Sequence, residues 1–226
     1  MKKLAELIGH PFSLAYAQHH TTWLYHQLRL PAETNAASEE GIQIATEQGF
    51  AMLHATETFF KAAAVLLDGR AGEALPLLTR ALEAYRATGA GVWLPYFLSI
   101  LGDAYIQAGR LEDAREVLNE GLAIAERSNE LCQKAELLRL SGELALLMVS
   151  HKEDVAEGCF RQAITTAQLQ LSKAWELRAS TSLARLHKRQ GRHDEARRLL
   201  SDIYGWFTEG FDTPDLKSAK ALLDEL

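Results

Sequence analysis

Between Leu98 and Leu122 the apolar positions fall into two runs of helical period, separated by Gly109-Arg110. Leu98, Leu101, Gly102 and Tyr105 mark one face of the first run. Leu111, Ala114, Val117, Leu118 and Leu122 recur at three- and four-residue steps in the second. Small residues, Gly102 and Ala114, fall where two such helices would cross, so their backbones can approach closely. The pattern has echoes. Ala74, Ala114, Ala156 and Ala196 are spaced by 40, 42 and 40 residues, each followed four residues later by Leu78, Leu118, Phe160 or Leu200. Gly69, Gly109 and Gly191 mark turns before three of them. The fourth turn, near Val149 to Asp154, has no glycine and two more residues, which predicts a longer or frayed connection. Self-similarity at a fixed period predicts stacked helix hairpins, none able to bury its apolar face alone.

The same reading sets out the chain. Residues 1–9 read as the last turns of a helix whose partner is absent, with Gly9 ending it and Pro11 opening the next. Five helix pairs follow, at about 11–29 with 31–48, 50–67 with 71–87, 92–108 with 111–127, 131–149 with 153–168, and 172–190 with 193–204. The repeats then run over about 11–48, 49–90, 91–130, 131–171 and 172–208. Pro76 falls inside the early turns of one helix, where it removes a hydrogen bond or bends the axis. Tyr204, Trp206, Phe207 and Phe211 read as an aromatic plug over the end of the stack. Thr213 as cap, Pro214 and Asp215 open a last helix, 213–226, that closes it. The expected architecture is all-α: one right-handed solenoid domain over 1–226, with five helix pairs, a C-terminal capping helix and no linker.

Composition narrows the classes. The chain of 226 residues is 47% hydrophobic and 24% charged, with few prolines, which favours helix. A formal charge of −6 argues against nucleic acid, which needs a basic surface. No apolar run reaches the roughly 18 residues of a membrane span. The opening MKKLAELIGHP has too few apolar residues for a signal peptide. Cys132 and Cys159 lie far apart and point to a reducing cytoplasm. Both are expected to be small buried residues.

Leu101-Gly102-x-x-Tyr105, the Gly109 turn and Ala114-x-x-x-Leu118 resemble a tetratricopeptide hairpin. The period of about 40 exceeds the usual 34 and also suits HEAT or armadillo units; the turn motif favours the tetratricopeptide type, with helices about one turn longer. The chain further resembles the C-terminal tetratricopeptide region of large bacterial signalling proteins. In these an adenylate/guanylate cyclase-like or DNA-binding domain precedes a predicted signal-transduction ATPase. The residues carrying this likeness are Gly9-His10-Pro11-Phe12-Ser13-Leu14-Ala15, Tyr85-Arg86-Ala87-Thr88-Gly89-Ala90, Pro95-Tyr96-Phe97-Leu98 and Ala135-Glu136-Leu137. Glu176-Leu177-Arg178-Ala179, Thr181 to Leu186 and Tyr204 to Thr213 complete it. The resemblance implies that cyclase and ATPase parts would lie N-terminal to such a region. It supplies no catalytic residue here, and no Gly-x-x-x-x-Gly-Lys-Ser/Thr loop occurs.

Candidate surfaces follow from the repeat register. First helices would line a concave side, exposing Tyr16, His19, His20, Trp23 and His26, then Phe59 and Phe60, then Tyr96, Ile100 and Asp103. Arg139, Glu143, Arg178, Arg185, Lys188 and Arg189 would continue it. Such a groove is aromatic and His-rich at one end and basic at the other, the composition of interface anchors. The alternative is that the aromatics are buried between neighbouring repeats. Residues 172–200 hold eight Lys/Arg against three acids, a net of +5 that leaves −11 elsewhere. That stretch could be a solvated face or could hold an acidic peptide, a C-terminal carboxylate or an acidic surface of the parent protein. Trp175 is the one aromatic among these charges, too few for a row of stacking rings, which argues against nucleic acid.

His19 and His26 share a helix face but stand about 10.5 Å apart along it. No His-x-x-x-His occurs, so no metal is expected. Hydrolase and redox motifs are absent, and the Glu39-Glu40 and Asp194-Glu195 pairs suit helix ends. The expected function is a non-catalytic, cofactor-free scaffold for protein–protein recognition or autoregulation. One alternative is a small-molecule (inducer) sensor with Trp23, Phe59, Phe60 and the histidines as its pocket. Another is a self-association module.

Overall fold

The computed structural model describes residues 2–148 and 152–226. Among them are twelve α-helices, one 3-10 turn and no strand. The expected long connection near Val149 to Asp154 falls largely outside the described residues. The chain forms two compact units, Met1–Val92 and Trp93–Leu226.

The first unit holds α1 (Lys2–Ile8), α2 (Pro11–Gln27), α3 (Pro31–Gln48), α4 (Ala51–Leu67) and α5 (Ala71–Ala87). Each helix packs on the next, and α2 also packs beside α4. Pro11 and Pro31 stand at first helical positions, where a missing N–H costs nothing. The chain leaves α1, α3 and α5 through left-handed residues at Gly9, Gly49 and Gly89, spaced by forty. α5 runs through Pro76 unbroken. Its Ala74, Leu78 and Tyr85 are fully buried, as are Phe59 and Phe60 on α4. The Tyr85 hydroxyl donates to the Val92 carbonyl.

The second unit holds α6 (Leu94–Gln107), α7 (Leu111–Ser128), a 3-10 turn (Leu131–Gln133) and α8 (Lys134–Leu147). It continues with α9 (Glu153–Leu169), α10 (Lys173–Arg189), α11 (His193–Tyr204) and α12 (Pro214–Glu225). The hairpins are α6–α7, α8–α9 and α10–α11, with α6, α8 and α10 side by side and α12 against α10 and α11. The small-against-large crossing holds throughout. A Cβ on Gly102 would stand 2.5 Å from Leu118 Cδ2, and one on Gly142 2.5 Å from Phe160 Cε1. Ala114, Ala156 and Ala196 have no exposed surface. The fourth hairpin differs from expectation at its start: a 3-10 turn occupies 131–133 and the α-helix begins at Lys134.

Three further expectations are corrected. Cys132 lies exposed on that 3-10 turn and Cys159 is half-buried, so neither belongs to the core. Of the aromatic plug, Tyr204 and Phe207 pack against Leu177, Leu200 and Leu216, whereas Trp206 and Phe211 are turned outward. The segment after α11 is irregular, and its alternate aromatics cannot all face one core. Thr213 does sit at the N-cap of α12, but its hydroxyl donates back to the Gly210 carbonyl at 2.6 Å instead of capping the helix. No helix among the described residues is long and apolar enough to cross a membrane.

Candidate interaction surface

In the first unit, α2 carries Phe12, Tyr16, His20 and Leu24 at four-residue steps, so they share one helix face. Phe12, Tyr16 and Leu24 are exposed. His20 and Trp23 are half-buried beside them, with His26 a turn further on. The rings form a ladder. Phe12 stacks on Tyr16 at 5.8 Å, Tyr16 meets His20 at 4.4 Å, and His20 meets Trp23 edge-on at 6.2 Å. The His20 ring lies 2.9 Å through Nδ1 from the Tyr16 carbonyl, which fixes its orientation along the helix. No acidic or basic residue other than histidine occurs anywhere on α2.

Behind this ladder the expectation of exposure fails. His19, Phe59 and Phe60 are buried. The Phe60 ring on α4 is packed against the rings of His19 (5.9 Å) and His26 (5.6 Å) on α2, so these aromatics hold two first helices together. The His19 Nδ1 lies 3.0 Å from Glu57 Oε1, both side chains nearly inaccessible. Glu57 was not singled out from the sequence. It stands forty residues before Phe97 and eighty before Leu137, both buried, so it is a carboxylate in an apolar register position. Room for it comes from Gly41 on α3, where a Cβ would meet the carboxylate at 2.7–2.8 Å. The neighbouring crossing is polar as well. Thr22, Thr34 and Ser38 are buried, each donating to a carbonyl of its own helix or its cap, and Gln18 Nε2 donates to the Ala37 carbonyl at 2.8 Å.

In the second unit Tyr96 and Ile100 are buried and Asp103 half-buried, again against expectation. The Tyr96 ring packs beside Trp93 and Phe97 at 6.3 and 6.1 Å. The basic residues are engaged within the fold. Arg139 is forked onto Glu136 (2.8 Å to each oxygen) and reaches Glu143 at 3.3 Å. Burial alone would lower its proton affinity; Glu136 first, then Glu143 and Asp103, more than reverse this and hold it above the ordinary arginine value. Arg178 pairs with the same Glu136 at 2.7 Å, lies over the Trp175 ring at 5.0 Å and approaches Asp215 at 3.9 Å. Ser182 donates to Glu143 at 2.6 Å. Arg185 donates to Ser218 and Lys188 to Glu225, both at 2.6 Å. Arg189 is exposed in the last turn of α10. Within the stretch that reads as basic in sequence, Arg178 meets carboxylates of α8 and α12, Lys188 meets one of α12, and Arg185 meets a serine hydroxyl of α12.

A second buried histidine also escaped the sequence reading. His187 on α10 has no hydrogen-bond partner at either ring nitrogen, its Nε2 lying 3.5 Å from Glu157 Oε1. Burial, then the nearby Arg192 charge, push its pKa below the ordinary imidazole value. Burial would raise Glu157, but hydrogen bonds from Arg161 and Arg192 outweigh it and hold that carboxyl below its ordinary range. Only the polar histidine in an otherwise apolar face could have marked this position. Among the described residues, no three His, Cys, Asp or Glu side chains come together as a metal site.

Tetratricopeptide-repeat family models match residues 54–127 and 177–201. The solved structure of a putative kinesin light chain with nearly identical TPR-like repeats, from Podosopora anserina, is similar at 20% identity over 96% of this chain and 97% of its own, with a TM-score of 0.53. A point-substituted form of that protein is similar at 21% identity over 87% of this chain and 95% of its own, with a TM-score of 0.55. Aspartyl phosphate phosphatase F from Bacillus subtilis is similar at 12% identity over 85% of this chain but 49% of its own length, with a TM-score of 0.62. No curated protein sequence matches significantly. The fold is thus all-α and of the TPR-like solenoid class.

Proposed function

We propose that this protein is a non-catalytic scaffold that recognises a protein or peptide through the aromatic face of α2. Tetratricopeptide repeats and TPR-like neighbours support an interaction role in general. The observation that carries the location is the exposed row Phe12, Tyr16 and Leu24, with His20 and Trp23 beside it, on a helix without Asp, Glu, Lys or Arg. Large aromatics that bury well and require little desolvation of charge are the usual anchors of an interface. The sequence likeness to the C-terminal region of bacterial signalling proteins supports an autoregulatory or sensor role in the cytoplasm, as part of a larger chain. The test is affinity capture from the source lysate with the wild-type chain and with Tyr16→Ala/Trp23→Ala. The double variant should lose the captured partner while keeping its helical circular dichroism. Undiminished capture would move the surface elsewhere.

A second reading is self-association. Leu4, Leu7 and Ile8 on α1 are exposed, Leu7 to 87%. Contiguous apolar residues of this kind favour contact between copies. Light scattering over a concentration series should then show a dimer that Leu7→Lys abolishes; a monomer at all concentrations excludes it.

A further inference from the structure

α12 is held to the second unit by two unlike kinds of contact. Leu216, Ala219 and Leu222 face inward onto Leu177, Ala184, Ala196, Leu200 and Ile203. Along its flank Asp215, Ser218 and Glu225 meet Arg178, Arg185 and Lys188 of α10. The two ionic contacts lie ten residues apart on both helices, Arg178 to Lys188 and Asp215 to Glu225. Ten residues of helix span about 15 Å, so α12 runs parallel to α10 and in step with it. The outer side, with Lys217, Lys220, Ala221 and Asp224, is exposed.

These contacts define what the face accepts. It takes an amphipathic helix with small and leucine side chains at three-residue steps and carboxylates ten residues apart. Nothing in that description depends on the helix being part of the same chain. α12 has only twelve residues, too few to be stable in isolation, and an irregular segment after Tyr204 tethers it. Tethering keeps such a short helix docked by high effective concentration, and a partner helix has only to compete with that.

We propose that the face of α10 and α11 beneath α12 is a docking surface for an acidic amphipathic helix of a partner protein, with α12 its resident occupant. This surface is separate from the α2 face, and binding there is measured without reference to it. The probe is a labelled synthetic peptide of residues 213–226. A full chain carrying Leu216→Ala and Leu222→Ala, which loosens the resident helix, should bind it about tenfold or more tightly than the wild-type chain does. Adding Lys188→Glu should weaken that binding about fivefold, and a peptide carrying Glu225→Lys should restore it. Equal affinity for both chains, or no restoration by the charge swap, overturns the proposal. Hydrogen exchange on the wild-type chain is a test that needs no variant. Amides of α12 should exchange about tenfold or more faster than those of α10, and equal protection means the helix does not leave the face. Exchange of α12 between two copies, seen as a dimer by light scattering, would replace the partner protein with a second copy and overturn that assignment.

Discussion

The Cα of Gly142 on α8 faces the edge of the Phe160 ring on α9, where an added Cβ would stand 2.5 Å from Cε1 and 2.8 Å from Cδ1. The ring is fully buried and has nowhere to swing. Gly142→Ala gains about 1 kcal/mol of helix propensity. It loses about 1–3 kcal/mol to overpacking. The rigid ring puts the loss at the upper end, so the variant should be less stable in guanidinium denaturation. Gly102→Ala meets the flexible end of Leu118 instead and should be milder. The reverse order would show that helix separation, not ring position, controls the crossing.

His19 and Glu57 form a buried pair at 3.0 Å, and removing either one takes that contact from the other. Glu57→Ala should cost about 1–3 kcal/mol through the loss of this buried contact. The double variant His19→Ala/Glu57→Ala should cost less than the sum of the singles by about 1 kcal/mol or more. A double-mutant cycle by chemical denaturation measures this. Strict additivity would mean that the two groups are held independently.

The pH dependence of His187 has a definite sign. Its folded pKa lies below the ordinary 6.5, so the unfolded chain takes up the proton first as pH falls. Its contribution is fully present above about 6.5 and is lost as pH drops from there towards the folded value. His187→Gln should flatten this part of the stability curve, in the window that opens below about pH 6.5. Denaturation midpoints of both proteins across that window would decide it, and parallel curves would assign the slope to other histidines.

The helices were legible because the repeat is written in residues whose size alone matters. Ala114 and Leu118 predict a crossing, and the crossing is there with Gly102 opposite. Gly121 against Leu137 and Gly142 against Phe160 follow the same rule but lie between aligned alanines, so the alignment passed over them. Exposure was harder to read. A periodic apolar face does not say whether a neighbouring helix or a ligand covers it, and for Phe59, Phe60 and Tyr96 the fold covers it. The basic stretch misled for a related reason. Glu136 and Asp215, which meet Arg178, come from helices about forty residues away on either side, beyond any local charge count.

The left-handed positions that follow α1, α3, α5, α7 and α9 make a last test. Gly9, Gly49, Gly89, Asn129 and Leu171 occupy them at intervals of 40 to 42 residues, all with positive φ. Four are types that tolerate the conformation; Leu171, at φ 55°, is not. A side chain there costs about 1–2 kcal/mol through its Cβ. Leu171 is 82% exposed, so no packing offsets that cost. The turn holds through backbone hydrogen bonds, from the Leu171 N–H to the Gln168 carbonyl and from the Ser172 N–H to the Ala167 carbonyl. Leu171→Gly keeps both bonds and removes the Cβ, against a chain-entropy loss of about 0.5–1 kcal/mol. The variant should therefore gain about 0.5–1 kcal/mol. Leu171→Asn should gain part of this, and Leu171→Ala, which retains the Cβ, should gain nothing. An alanine variant as stable as the glycine one would trace the effect to loss of the exposed leucine and not to the backbone.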